Sequence, residues 1–291
     1  MTLPSPLQKI EETFLKKRDI HLFIKRDDLI NSYVSGNKWR KLKYNIKEAK
    51  RLHQHTLLTF GGAHSNHIFS VAAAGKMFGY NTIGIIRGER NASLNDTLKF
   101  AQDSGMNLRF ISREQYRLKE AGNFLAELKN KVGDFYVLPE GGTNLLAVKG
   151  CEEIISEIDI GYDLICCPCG TGGTLAGLIT GLQGKEKVLG FSVLKGMVNL
   201  ENSIEELVFD TCKQKFDNWS VNHNYHFGGY AKTNQTLISF IENFRLNHNV
   251  RLDPVYTGKM MYGIYDLIKK NSLPAPLTII AVHTGGLRPL I

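Results

Sequence analysis

Short apolar runs alternate with helical patterns along most of the chain, and this alternation constrains the fold more than any other feature. The predicted strands cover residues 57–60, 82–86, 108–111, 135–138, 163–167, 188–193 and 277–282. The predicted helices cover residues 68–78, 93–103, 113–131, 200–215 and 259–270, with two more that follow residues 143 and 174. The alternation predicts an α/β protein with parallel sheets. Because these strands are apolar throughout, we expect both faces of each sheet to be covered.

The composition is that of a globular protein with a large core. Of the 291 residues, 43% are hydrophobic and 22% are charged, and a chain of this length predicts about two domains. No apolar run approaches the roughly 18 residues of a membrane span, so we expect no membrane partner. The N-terminus lacks the hydrophobic region of a signal peptide, and five cysteines do not make a disulfide scaffold. We therefore expect a cytoplasmic protein.

The formal net charge of +8 is concentrated at the front of the chain. Residues 1–51 carry 13 basic and 6 acidic side chains, whereas the rest of the chain is close to neutral. The basic residues of the segment 38–44 alternate with apolar ones, which is typical of an amphipathic helix with one solvated face. No signature of a nucleic-acid-binding module is present, so we expect no nucleic-acid partner.

Glycine pairs follow several of the predicted strands, at residues 61–62, 141–142, 170–173 and 285–286. Ligands of doubly wound sheets bind at the carboxyl ends of strands, where these turns lie. The strongest candidate is Cys169-Gly-Thr-Gly-Gly-Thr-Leu-Ala-Gly177, which a strand enters and a helix leaves. Amide groups at a helix N-terminus bind phosphate, and Thr171 and Thr174 add hydroxyl donors.

This glycine turn matches neither of the common nucleotide-binding motifs. A dinucleotide fingerprint beginning at Gly170 requires glycine where Leu175 stands, and no Gly-Lys-Ser/Thr follows as in a P-loop. The turn therefore predicts a phosphate site for a group smaller than a dinucleotide, with a tight turn that binds no ligand as the alternative. A lysine, Lys38, follows Ser35-Gly-Asn37 at the start of a helical pattern. A lysine together with a phosphate site indicates pyridoxal phosphate, which needs both.

Seven motifs in this order from end to end resemble those of the 1-aminocyclopropane-1-carboxylate (ACC) deaminase and D-cysteine desulfhydrase family. They are Lys25-Arg-Asp-Asp-Leu29, Ser35-Gly-Asn-Lys-Trp-Arg-Lys-Leu42, Gly61-Gly-Ala-His-Ser-Asn-His67, Glu140-Gly-Gly-Thr-Asn144, Gly170-Thr-Gly-Gly-Thr174, Asp253-Pro-Val-Tyr-Thr-Gly-Lys259 and His283-Thr-Gly-Gly286. The resemblance implies a tryptophan-synthase-β-like pyridoxal phosphate fold and a homodimer. It implies two doubly wound parallel-sheet domains, a smaller one at residues 42–146 inserted in a larger one at residues 1–41 plus 147–291.

The resemblance also implies roles for individual residues. Lys38 resembles the lysine that forms the Schiff base with the cofactor, and Tyr256 and Tyr230 resemble two active-site tyrosines; with Ser65 these are the expected catalytic residues. The expected substrate-binding residues are Ser65, Asn66, His67 and Tyr256. The expected cofactor-binding residues are Asn37, Lys38, Lys41, Asn66, Gly170, Thr171, Gly172, Gly173, Thr174, Thr257 and Thr284.

Two positions separate the activities within this family. ACC deaminases resemble Val-Tyr-Glu-Gly-Lys and His-Leu-Gly-Gly, whereas this chain has Thr257 and Thr284 at the corresponding positions. A carboxylate opposite the pyridine nitrogen favours its protonated form more than a threonine hydroxyl does. We therefore expect β-elimination from D-cysteine, or a related β-substituted D-amino acid, to give pyruvate, ammonia and sulfide. The alternatives are an ACC deaminase, which gives α-ketobutyrate and ammonia, and a pyridoxal-phosphate-binding protein without significant turnover.

Other residues that could carry chemistry have simpler interpretations. The cysteines of Cys166-Cys-Pro-Cys169 lie in an apolar run without a second pair, and we interpret them as buried structural residues. His64 and His67 have a spacing that a metal site could use, but we expect no metal. Asp27 and Asp28 adjoin Lys25 and Arg26, which predicts local ion pairs.

Overall fold

The computed structural model describes residues 1–90, 92–119 and 121–287. The chain divides into two compact units, a large unit of Met1–Lys41 with Asn144–Ile291 and a small unit of Leu42–Thr143. The first boundary coincides with the expected one after residue 41, and the second lies three residues before the expected one. Asn144 belongs with the helix that follows it, because its side chain accepts a hydrogen bond from Ala147 N at 2.9 Å and caps that helix.

The strands and helices are numbered in chain order. The strands are β1 (Leu7–Ile10), β2 (Ile20–Lys25), β3 (Thr56–Gly61), β4 (Asn81–Arg87), β5 (Met106–Ile111), β6 (Tyr136–Leu138), β7 (Leu164–Cys169), β8 (Lys187–Ser192), β9 (Trp219–Asn222) and β10 (Leu277–Val282). The helices are α1 (Thr13–Lys17), α2 (Asn37–Arg51), α3 (Asn66–Phe78), α4 (Asp96–Asp103), α5 (Arg113–Arg117), α6 (Gly122–Val132), α7 (Leu145–Ser156), α8 (Gly173–Leu182), α9 (Leu200–Cys212), α10 (Gln235–His248) and α11 (Thr257–Lys269).

Each unit contains one sheet. The large unit has a six-stranded sheet in the order β1-β2-β10-β7-β8-β9, in which only β1 runs antiparallel to its neighbour. The small unit has a four-stranded parallel sheet in the order β5-β4-β3-β6. The predicted α/β class with parallel sheets is confirmed.

The large sheet is covered on both faces, as its apolar strands predict. Leu164 and Cys166 of β7 belong to one core cluster with residues of α11, such as Met260. The alternate residues of β7, Ile165 and Cys167, belong to a second cluster with residues of α7, α8 and α9. Because successive side chains of a strand point to opposite faces, a strand buried on both sides must be apolar at every position.

Several elements differ from the sequence prediction. The predicted helix over residues 113–131 is two helices, since α5 ends at Arg117 and α6 begins at Gly122. The sequence pattern also missed β1, β2, β9, α1 and α10. In α10 only Leu237 and Phe244 are buried, so the apolar stripe that would indicate a helix in the sequence is narrow. In the described part of the chain no helix is long and apolar enough to cross a membrane.

Candidate active site

The strand order of the large unit reverses between β7 and β10. From β7 the chain proceeds through β8 to β9 on one side, while β10 pairs with β7 on the other side. In open α/β sheets such a switch point leaves a crevice at the carboxyl ends of the two strands, where ligands bind. The turn of residues 170–174 follows β7 and the turn of residues 283–286 follows β10. Both glycine-rich turns of the large unit therefore lie at its switch point.

The turn that precedes α2 packs directly against the turn after β10. Gly36 has a φ of +62°, and a Cβ at this position would overlap the carbonyl oxygen of Thr284. Asn37 N donates a hydrogen bond to the same oxygen at 3.2 Å. Only glycine allows this approach, because it has no Cβ and adopts a positive φ without strain. The contact places the first turn of α2, which contains Lys38, beside Thr284.

The first turn of α2 also contacts the first turn of α8. The side-chain amide of Asn37 donates a hydrogen bond to Thr174 Oγ1 at 2.9 Å. Gly172, with a φ of +79°, is the N-cap residue of α8, and no side chain caps that helix end. The leading amides of a helix have no partner within the helix and attract an anion. The N-termini of α2 and α8 thus adjoin one another at the glycine turn.

Two lysines of α2, Lys38 and Lys41, have lowered pKa values in this site. Burial, reinforced by the positive charge of Lys41, lowers the pKa of Lys38 from 10.5 to about 7. Burial also lowers the pKa of Lys41, which the nearby thiols of Cys151, Cys167 and Cys169 oppose. A bound dianion would favour the charged forms of these two lysines.

Two tyrosines lie near the glycine turn. Tyr256 packs against Gly170, where a Cβ would lie 3.3 Å from the ring carbon Cε1 of the tyrosine. Tyr230 contacts Tyr256 edge to face, with ring centroids 6.3 Å apart and an interplanar angle of 72°. The structure therefore brings together both tyrosines and the glycine turn.

A buried aspartate that the sequence analysis gave no role organises the start of α11. Asp253 Oδ1 accepts hydrogen bonds from Val255 N at 2.9 Å and Tyr256 N at 2.8 Å. Its Oδ2 accepts from Thr257 N at 2.9 Å and from the Thr257 hydroxyl at 2.7 Å. The Thr257 oxygen in turn accepts from Asp253 N at 2.9 Å. The hydrogen of the Thr257 hydroxyl is thus donated to Asp253. In the sequence, the aspartate four residues before this threonine is the feature that could have indicated this hydrogen bond.

A buried histidine holds the turn that carries Thr284. Gly285 N donates to His283 Nδ1 at 3.2 Å. His283 Nε2 lies 2.7 Å from the carbonyl oxygen of Arg251 and donates to it. Nδ1 also lies 3.7 Å from Asp28 Oδ1, so the imidazole is held by two backbone groups and a buried carboxylate and supports the backbone of the turn.

Below the first turn of α2 lies a buried ion network. Arg40 donates to both carboxylate oxygens of Asp27 at 2.8 Å and to both oxygens of Glu157 at 2.7 and 2.8 Å. Lys25 Nζ adds a bond to Glu157 at 2.9 Å. The prediction of a local ion pair is confirmed for Asp28, which binds Arg26. It is wrong for Asp27, because this buried carboxylate pairs with Arg40 of α2.

The predicted carboxylate-binding residues belong to the small unit, at the start of α3. Ser65 is the N-cap, and its hydroxyl oxygen accepts from His67 N at 3.2 Å and Ile68 N at 3.3 Å. Asn66 is the first helical residue. His67 is buried against the turn after β6, where a Cβ at Gly142 would lie 2.8 Å from the ring carbon Cε1. The small sheet reverses its order between β3 and β6, so these residues lie at its switch point.

The remaining candidates are structural in their surroundings. Cys166, Cys167 and Cys169 are buried in β7, and burial raises the pKa of the Cys166 and Cys167 thiols. His64 lies beside the Asn95 side chain, 3.2 Å from its nitrogen. Across residues 1–90, 92–119 and 121–287, no cluster of three His, Cys, Asp or Glu side chains is arranged to hold a metal ion.

The groups assembled in the large unit fit pyridoxal phosphate. A helix N-terminus, the Thr174 hydroxyl and the Lys41 amino group are donors suited to a phosphate group. Lys38, with a pKa of about 7, presents an amine that is substantially neutral and nucleophilic at neutral pH. The missing side chains at Gly36 and Gly170 let Thr284 and Tyr256 approach the backbone closely, which brings these groups together around the glycine turn.

Comparisons with known proteins agree with this description. Residues 2–285 match the family described as pyridoxal-phosphate dependent enzyme. A Pyrococcus furiosus protein, provisionally named 1-aminocyclopropane-1-carboxylate deaminase, is 32% identical over an alignment that covers 91% of this chain and 84% of that protein. The Arabidopsis thaliana bifunctional D-cysteine desulfhydrase/1-aminocyclopropane-1-carboxylate deaminase is 32% identical, with 98% of this chain and 77% of that protein covered.

Solved structures show the same fold. The crystal structure of an ACC deaminase homologue superposes with a TM-score of 0.87 at 28% identity and covers 98% of this chain and 90% of its own. A hydrogen sulfide-producing enzyme from Fusobacterium nucleatum has a TM-score of 0.69 at 16% identity, covers 97% of this chain and 95% of its own, and shares the fold. The expected fold and cofactor are confirmed by these matches. This chain belongs to the pyridoxal-phosphate-dependent enzyme family.

Proposed function

We propose that this protein is a pyridoxal-phosphate-dependent lyase that eliminates the β-substituent of D-cysteine, or of a related β-substituted D-amino acid. With D-cysteine and water, the products are pyruvate, ammonia and hydrogen sulfide. The family supplies the cofactor, and the residues of the large unit supply the groups that bind it.

Thr257 is the observation that carries this choice of reaction. The corresponding motif of ACC deaminases has a glutamate at this position. Thr257 is neutral, and its hydroxyl donates to Asp253 at 2.7 Å. A neutral group stabilises a protonated pyridine nitrogen less than a carboxylate does, so the cofactor is a weaker electron acceptor. A thiolate is a good leaving group and needs less help than the opening of a cyclopropane ring.

Lys38 has two tasks in this proposal. When bound, pyridoxal phosphate supplies an aldehyde that takes up the amino group and a conjugated ring that accepts the electron pair left at Cα. Lys38 anchors the cofactor between turnovers and then removes the Cα proton of the substrate. A pKa of about 7 suits a general base, because a large fraction of the amine is neutral at physiological pH.

Anion-binding groups hold the two negatively charged parts. We assign the phosphate to Lys41 and to the residues 170–174 at the N-terminus of α8. We assign the substrate carboxylate to the N-terminus of α3, with Ser65, Asn66 and His67. Both assignments use helix amides, which bind anions through hydrogen bonds and the helix dipole.

The tyrosine pair is the proposed proton donor to the leaving group. Tyr256 lies against the glycine turn at Gly170, and Tyr230 packs against its edge. Protonation of the departing thiolate prevents it from adding back to the product. Tyr256 is the principal donor in this proposal, because it contacts the glycine turn directly.

ACC deaminase activity is the second candidate. It is favoured by the names of the Pyrococcus and Arabidopsis relatives, the second of which is bifunctional. In this chain it would proceed through the same lysine and phosphate site, with α-ketobutyrate and ammonia as products.

Sulfide release by the purified, cofactor-loaded protein tests the proposal. D-Cysteine and L-cysteine are compared, and α-ketobutyrate is measured with ACC as substrate. Lys38→Ala should lose both the absorbance of the lysine-bound cofactor and the turnover. Lys50→Ala, which removes an exposed lysine from the same helix, is the matched control and should retain both.

The outcomes separate the candidates. Stereoselective sulfide release from D-cysteine supports β-elimination. Release of α-ketobutyrate from ACC without sulfide moves the assignment to the second candidate. Full turnover by Lys38→Ala would refute the role of the lysine in either reaction.

A further inference from the structure

The lysine of the Asp253–Lys259 motif is buried and contacts the loop that contains Tyr230. Lys259 lies in the first turn of α11 with 0% of its side chain exposed. Its Nζ donates to the carbonyl oxygens of His226 at 2.9 Å and Gly229 at 2.7 Å. Within the described residues no carboxylate lies within ion-pair distance of Nζ, so backbone carbonyls are its hydrogen-bonding partners.

Burial of this ammonium opposes its charged form. It lowers the pKa of Lys259 from 10.5 to about 8, which the more distant Asp253 counteracts. A methionine would fill similar space without a desolvation cost. Packing alone therefore does not account for a lysine here, and the two carbonyl contacts are what the lysine adds.

The two carbonyls belong to a contorted loop. Of the five residues 227–231, four have positive φ: Phe227 at +51°, Gly228 at +93°, Gly229 at +118° and Ala231 at +54°. Phe227 and Ala231 pay a conformational penalty in this region, so contacts outside the loop must maintain it.

The loop consists of two successive turns, and Lys259 binds the acceptor of each. The carbonyl of His226 accepts from Gly229 N at 3.0 Å, and the carbonyl of Gly229 accepts from Lys232 N at 3.1 Å. These are the same two oxygens that Lys259 contacts. One ammonium group therefore joins the bases of both turns, and Tyr230 lies within the second turn.

The arrangement of the loop determines the position of Tyr230. Its side chain is 44% exposed, and its ring meets the edge of Tyr256. Tyr256 directly precedes α11, and Lys259 lies three residues later. The start of α11 therefore contains both the lysine that binds the loop and the tyrosine ring that Tyr230 contacts. Loss of the hydrogen bonds from Lys259 would free the loop and separate the two tyrosine rings.

We infer that Lys259 is a positioning residue that holds Tyr230 against Tyr256 by binding the carbonyls of His226 and Gly229. The inference deepens the proposed function and rests on it for its kinetic part. The physical part, the tethering of the loop, is independent of which substrate the protein uses.

Limited proteolysis of the cofactor-loaded protein tests the tether. Lys232 is exposed at the end of the loop, and trypsin cleavage there, identified by mass spectrometry, reports local opening. Lys259→Met should increase cleavage after Lys232 at least about tenfold, because two hydrogen bonds to a charged donor are lost. Lys269→Met, which removes an exposed lysine of α11, is the matched control and should leave cleavage unchanged. If Lys259→Met does not fold, Lys259→Gln, a neutral donor of shorter reach, should give intermediate cleavage.

A double-mutant cycle tests the connection with Tyr230. Lys259→Met and Tyr230→Phe should change kcat and KM for D-cysteine in the same proportion, and the double variant should be no worse than the more impaired single variant. A general loss of stability would instead multiply the two effects and expose many tryptic sites.

The results divide cleanly between the two proposals. Unchanged cleavage after Lys232 in Lys259→Met, or multiplicative effects in the double variant, would overturn the positioning role. Absence of sulfide release in the native protein would refute the proposed function alone, and the cleavage experiment would still decide whether Lys259 tethers the loop.

Discussion

Replacement of Arg40 by methionine should destabilise the large unit strongly, although the two side chains have similar helix propensity. Arg40 is fully buried and donates four hydrogen bonds of 2.7–2.8 Å to the carboxylates of Asp27 and Glu157. In Arg40→Met, the hydroxyl of Ser5, at 2.6 Å, is the side-chain donor that Asp27 keeps among the described residues. Breaking a buried pair from one side leaves an uncompensated charge and costs about 3–5 kcal/mol.

The effect should also depend on pH. Burial opposes ionisation of Glu157, but hydrogen bonds from Arg40 and Lys25 outweigh it and lower the pKa of this carboxyl from 4.5 to about 2. A carboxyl with a lowered pKa in the folded state stabilises the fold above its unfolded pKa, and this contribution is lost as the pH falls. The shift corresponds to about 3 kcal/mol, so the difference between the native protein and Arg40→Met should shrink between pH 4.5 and pH 2.

Urea unfolding followed by circular dichroism measures both effects. Tryptophan fluorescence reports on the large unit, since it contains Trp39 and Trp219. The control is Arg51→Met, which removes the same side chain from the same helix. Arg51 is 68% exposed and pairs with Glu48 on the surface, so its loss should cost about 0.5 kcal/mol or less. Equal losses in the two variants, or a loss from Arg40→Met that is the same at pH 7 and pH 3, would refute the reasoning.

Three further predictions follow from the site and its supports. Gly36→Ala should lower the free energy of unfolding by about 2–3 kcal/mol in urea titrations, because its Cβ would overlap the Thr284 carbonyl at a φ of +62°. Asp253→Asn should cost about 2 kcal/mol by the same measurement, since the charged acceptor of the backbone amides and of the Thr257 hydroxyl is lost; an unchanged midpoint would contradict the capping role. The native protein should gain stability relative to Lys259→Met, by up to about 3 kcal/mol, as the pH rises from 8 to 10.5. Because the pKa of Lys259 falls from 10.5 to about 8 on folding, the unfolded chain binds more protons in this range, and a difference that is flat with pH would exclude the shift.

Local sequence patterns predicted the elements that surround the switch points. The apolar runs of β7 and β10 and the glycines between residues 170 and 173 are recognisable because each pattern reflects the environment of consecutive residues. The position of Lys38 at the start of a helix was predictable for the same reason. From these features the sequence predicts a phosphate site and a lysine that act together.

Contacts between distant residues were not predictable in this way. Arg40 and Glu157 are 117 positions apart, and no periodicity in either segment indicates that they meet. Asp27 was assigned to neighbouring cations because sequence distance was the only available guide. The hydrogen bond from Lys259 to the carbonyl of His226 is still harder to predict from the sequence, because every residue has a backbone carbonyl.

The position of β10 within the large sheet has a consequence for synthesis of the chain. β10 is the last strand in chain order, yet it lies between β2 and β7 and pairs with both. Until residues 277–282 emerge from the ribosome, the antiparallel pair of β1 and β2 has no link to β7, β8 and β9 within the sheet. All four strands of the small unit come from one uninterrupted stretch, which can form its sheet while translation continues. A nascent chain arrested before β10 should therefore resist protease over residues 42–143 and remain sensitive in the flanking segments.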